Sequence, residues 1–137
     1  MKIKKNELND IHFLLVGLTL KGMVSRARTK LDKQIIDALN EVGKEEKDLA
    51  EDNDGSVDES GTIVFSKTEE GAQNATNFKK EHAELLSEKV IFNETIEGHY
   101  DRLKSVLNEY EGEFSGNDAQ AYDTLLDALE EAEKAEG

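Results

Sequence analysis

The strongest constraint on this chain is an apolar rhythm that holds from Val24 to Leu49. Val24, Arg28, Leu31, Ile35, Ala38, Val42 and Leu49 follow a four–three spacing, with Ala27, Ile36 and Leu39 beside them. That period describes one face of a helix and fits no strand. A helix from Val24 to Asp52 would span about 43 Å. Gly43 is its weak point, costing about 1 kcal/mol relative to Ala, and it marks a candidate bend. The 137 residues include no proline, where average usage gives roughly seven. Proline breaks helix interiors, so its absence points the same way.

Four further helices are predicted around this one. Leu8, Ile11, Leu15 and Leu18 give a first helix over Glu7–Leu18, with Asn6 as its N-cap. Phe13, Leu14 and Val16 widen its apolar arc. A third helix runs over about 72–87, with Ala75, Phe78, His82, Leu85 and Leu86 on one face. A fourth covers about 96–110, where Ile96, Tyr100, Leu103, Leu107, Tyr110 and Phe114 repeat at helical spacing. The fifth begins after Ser115 or Asn117 and presents Ala119, Tyr122, Leu126 and Leu129. Its acidic end, Glu130–Gly137, is expected to fray. Residues 51–61 read as an acidic loop around the turn Asn53-Asp-Gly55. Thr62–Phe65 and Val90–Phe92 are short β-rich runs, expected to pair as a minor two-stranded ribbon. The expected fold is mainly α: a single domain over residues 1–137, with about five helices and a long second one.

Charge is unevenly spread. Residues 1–34 hold eight Lys/Arg and three Asp/Glu, a net +5, whereas residues 35–137 hold nine and 28, a net −19. The acidic body repels nucleic acid and anionic lipid and attracts basic partners. The concentrated positive charge is Lys21, Arg26, Arg28, Lys30 and Lys33, at the start of the second helix. There the helix macrodipole disfavours cations, so an internal carboxylate or an external partner is expected to meet them. Arg28 lies on the apolar seam, where its stem can pack while the guanidinium reaches outward. These five residues are the candidate protein-binding site.

Other chemistry is poorly supported. The chain has no cysteine, which removes disulfides, thiolate metal sites and a Cys nucleophile, and fits an intracellular setting. Lys2, Lys4 and Lys5 ahead of Ile11–Leu20 imitate a signal peptide, but Glu7, Asn9, Asp10 and His12 interrupt the pattern. The ten-residue run is also too short to span a bilayer. With Gly55 set as the central glycine of a calcium loop, Ala50 and Gly61 fall where ligands are needed. His12, His82 and His99 have no spacing that brings two ligands to one helical face. His12 and His82 read as half-buried and His99 as a surface residue. No Gly-rich phosphate loop, Gly-x-Ser-x-Gly elbow or His-Glu-x-x-His occurs. The expectation is a non-enzymatic protein with no catalytic residue, metal or cofactor, no membrane and no direct nucleic-acid contact.

Met1-Lys-Ile-Lys4, the apolar helix, Leu20-Lys-Gly22 and Ser25-Arg-Ala-Arg-Thr-Lys-Leu31 resemble a family of small proteins from phages and prophages of Gram-positive bacteria. Leu85-Leu-Ser-Glu-Lys-Val-Ile91, Phe114-Ser-Gly116 and Ala121-Tyr-Asp-Thr-Leu125 extend the resemblance over most of the chain, apart from the acidic loop. That family has no assigned function and offers no catalytic residue to carry over. The resemblance implies a phage or prophage accessory protein, in the host cytoplasm or with the virion. Its partner would be a phage structural protein or a host factor. The alternative is an acidic inhibitor that imitates nucleic acid before a host nuclease or anti-phage defence complex.

Overall fold

The computed structural model describes residues 1–136. It is mainly α, with five α-helices among these residues: α1 (Leu8–Gly17), α2 (Gly22–Asp52), α3 (Glu69–Ser87), α4 (His99–Asn108) and α5 (Gly116–Glu136). Four short strands, β1 (Lys2–Lys4), β2 (Ser56–Val57), β3 (Ile63–Val64) and β4 (Lys89–Ile91), form two separate antiparallel pairs. The chain divides into two compact units, Met1–Leu39 with Lys89–Gly137, and Asn40–Glu88. The helix α2 begins in the first and ends in the second.

The first unit holds most of the core. Leu8, Ile11, Leu14 and Leu15 of α1 are buried, as are Leu31 and Ile35 of α2. Leu103 and Leu107 of α4 and Leu125, Ala128 and Leu129 of α5 complete the apolar centre. Each set repeats every three or four residues, which is why each helix buries one stripe. The strand β1 pairs with β4, Ile3 opposite Val90. Met1 and Phe92 extend that pairing through their backbones. Ile3 turns into the core and is almost fully buried.

The second unit is built from the end of α2, a hairpin and α3. Phe65 tilts against Phe78 at a centroid separation of 5.6 Å, and Phe78 stacks on His82 at 5.1 Å. The N-cap of α3 is Thr68, whose hydroxyl accepts the Gly71 amide at 3.0 Å. The Gly71 Cα lies so close to the Ser66 carbonyl that a Cβ would sit 2.0 Å from its oxygen.

Several expectations are corrected. Thr62–Phe65 and Val90–Phe92 do not pair with one another: β3 takes β2, from inside the acidic loop, and β4 takes the N-terminal β1. The sequence marks strand-prone residues but not their partners, and both real partners have weak local signals. The acidic loop is largely this hairpin, held at its tip by the Asp58 carboxylate. That group accepts the Ser60 hydroxyl and the Ser60 and Thr62 amides, and the Ser60 bond leads in lowering its pKa. Asn6 does not cap α1; it lies in a short 3-10 turn, Lys5–Glu7, that leads into the helix. The tail expected to fray is helical as far as Glu136.

Candidate functional site

The α2 helix is unbroken through Gly43, whose Cα faces open space. A continuous helix places Arg26, Lys30 and Lys33 on one face, four and three residues apart. All three are exposed, as is Lys21 just ahead of the helix. Among the described residues, none of these four makes an ion pair or a side-chain hydrogen bond. Of the two expected partners, an internal carboxylate is therefore not found for these four among the described residues, which leaves an external one. A cation that does meet a carboxylate within the fold is Lys104 of α4, bonded to Glu133 of α5, a contact that raises the lysine pKa.

Arg28 behaves differently from its neighbours. It is half-buried, and its Nη1 donates to the carbonyl oxygens of Leu15 at 2.8 Å and Leu18 at 2.9 Å. These carbonyls end α1. Among the described residues no carboxylate meets it, and backbone acceptors take that place. An arginine near the unfavourable end of α2 thus stands at the favourable, electronegative end of α1. The connector 18–21 is short enough to bring the two helix ends together, a juxtaposition that propensity alone does not reveal.

Apolar groups accompany the free cations. Met23, three residues before Arg26, is 55% exposed. A groove of about 630 Å³ opens beside the start of α2, with Leu20, Val24, Val106 and Tyr110 in its wall and Lys21 on its lip. Glu109 and Glu111 stand on the same groove. Tyr110 is held there by stacking on Phe114, which stacks in turn on Tyr122. The groove was missed in the sequence because its wall comes from elements about 85 residues apart.

In the second unit, the end of α2 and α3 form an open groove of about 390 Å³. Glu45, Asp48 and Asp52 line it from α2, and Glu81 and Glu84 from α3 with Glu88 just past its end, above half-buried Leu49 and Leu85. The unit as a whole carries five Lys and fourteen Asp/Glu, a net −9.

The histidines serve separate places. His12 on α1 is 2.7 Å from the Asp32 carboxylate on α2, which is itself buried. His82 is 2.6 Å from Glu46. His99, expected at the surface, is buried at the start of α4 instead, and its Nδ1 has no hydrogen-bond partner among the described residues. No three His, Asp or Glu side chains converge as a metal cluster among the described residues. No helix among them is long and apolar enough to cross a membrane.

No known family model, curated protein sequence or solved structure matches the chain.

Proposed function

We propose that this chain is a non-enzymatic accessory protein of phage or prophage origin that works by binding another protein. The docking surface is the cationic face of α2, with Arg26, Lys30 and Lys33 as its charges, Lys21 just ahead of the helix, and exposed Met23 as its apolar part. One observation carries this reading: four exposed cations have no partner among the described residues of an otherwise acidic chain. Solvated surface charge would be as well served by scattered lysines. Clustered cations around an exposed Met23 suit a partner surface with carboxylates around an apolar contact. Arg28, included with them from the sequence, contributes by fixing where α2 starts rather than by contact.

The partner class is a phage structural protein or a host factor, met in the host cytoplasm or in the virion. A photocrosslinking residue at Lys30 tests this in infected host cells. The expected result is a discrete adduct with one foreign protein, lost when Arg26 and Lys33 are changed to Glu, and absent with the crosslinker at Gln120. Equal crosslinking from both positions, or adducts indifferent to the charge changes, would overturn the reading.

The acidic groove favours a second reading, in which rows of carboxylates on α2 and α3 stand in for phosphates before a host nuclease or defence complex. It predicts inhibition of such an enzyme that is relieved by Asp48→Asn with Glu84→Gln, and left intact by changes at Arg26 and Lys33.

A further inference from the structure

We infer that the cationic face of α2 on one copy docks on the acidic groove of a second copy. The inference rests on that face being a docking surface and adds the identity of an occupant.

Three observations support it. The first is charge: Arg26, Lys30 and Lys33 have no partner, and the side chains of Asp48, Asp52 and Glu84 have none either, among the described residues. The second is spacing. The cations stand four and three residues apart, and each carboxylate row of the groove has the same intervals in reverse order. A helix laid antiparallel to either row would set cation against carboxylate at three successive steps. The third is the apolar component. Exposed Met23 shares the cationic face, and half-buried Leu49 and Leu85 lie beneath the carboxylates. An unbranched thioether side chain suits an irregular apolar floor of that kind.

The net charge of −14 on each copy opposes association at long range. At physiological ionic strength, repulsion beyond about 8 Å is screened, while contact pairs are screened less. The expected affinity is therefore weak, with a dissociation constant on the order of 0.1 mM, as suits a small polar interface. Each copy carries both surfaces, so either a closed pair or a head-to-tail string satisfies the inference.

Sedimentation velocity on the full chain, across a concentration series, supplies the test. Association should rise with concentration at physiological salt and vanish in molar salt. Two exposed-site variants follow, each checked for native helix content: Arg26→Glu with Lys30→Glu and Lys33→Glu, and Asp48→Lys with Asp52→Lys and Glu84→Lys. Each alone should be monomeric, and mixing them should restore a mixed assembly. A parent that stays monomeric at the highest concentration overturns the inference. So does association that survives either variant, or a mixture that fails to recombine. In each of these cases the crosslinking result at Lys30 still decides separately whether the face binds a foreign protein.

Discussion

Truncating Arg28 tests the joint between the first two helices. Its guanidinium makes two charge-assisted hydrogen bonds to the Leu15 and Leu18 carbonyls at the end of α1, where a helix leaves acceptors without partners of its own. Hydrogen bonds to charged groups contribute about 1.5–3 kcal/mol each, and the two here share one nitrogen. Leu15 keeps another donor, the Leu18 amide at 3.3 Å, so mainly the Leu18 carbonyl is left to water. A cation at the end of α1 adds about 0.3–1 kcal/mol. Arg28→Met keeps the packed stem and removes only the head, so it should cost roughly 2–3 kcal/mol. Arg28→Ala should cost somewhat more. Lys30→Ala and Lys33→Ala, at exposed positions without partners, should stay within about 0.5 kcal/mol of the parent. Urea denaturation followed by circular dichroism measures all four. If Arg28→Met unfolds with the parent, the guanidinium does not hold the end of α1, and Arg28 belongs with the exposed cations.

Further outcomes follow from single positions. Gly43→Ala should stabilise by about 1 kcal/mol, because the position is helical and a Cβ meets open space; a loss of stability in thermal melts would mean that α2 bends there. Thr68→Ala should destabilise by about 1 kcal/mol through loss of the cap on α3, with Thr68→Ser close to neutral; hydrogen exchange at Gly71 reads this directly. The Asp58 carboxyl is held below the ordinary aspartate range by the Ser60 and Thr62 donors. A depressed folded pKa gives stability that is present above the unfolded value, near 3.9, and is lost as pH falls through the folded one. The hairpin should therefore persist at neutral pH and loosen only in acid, with Asp58 titrating in NMR below the ordinary aspartate value; a titration at or above that value would refute the network.

The legible parts of this fold were the periodic ones. The α2 seam was readable because burial of Leu31, Ile35 and Val42 repeats the period of the helix itself. Helix starts were less accurate: α4 begins at His99 rather than Ile96, since Gly98 takes a left-handed conformation just before it. Strand partners were illegible because β1 and β4 meet across 84 intervening residues with only three residues apiece. His99 was misplaced because no apolar rhythm in α4 assigns it to the core; its burial follows from its place at the start of the helix. Of the candidate site, the cationic cluster was readable and its division was not. Distinguishing inward Arg28 from outward Arg26, Lys30 and Lys33 requires knowing that α1 ends beside α2.

The charges of α2 can also be weighed against those of the other helices. The first turns of α3 and α5 carry Glu69, Glu70 and Asp118, and the last turn of α5 carries Lys134. Each arrangement favours the helix dipole. The α2 helix does the reverse: it has no acid in its first turn and no base in its last, and exposed Asp52 is its final residue. Each adverse charge at a helix end costs about 0.3–1 kcal/mol. The other four α-helices each carry an acid in the first turn and α2 carries none, so the cations that start α2 form a surface that stability does not explain. Asp52→Lys should therefore raise stability by roughly 0.5 kcal/mol, and Lys21→Glu should do the same at the other end. Urea denaturation at low and high salt checks both, and the gain should shrink as salt screens it. Should both substitutions lower stability, the charges belong to the fold, and the argument that binding has shaped the surface of α2 fails.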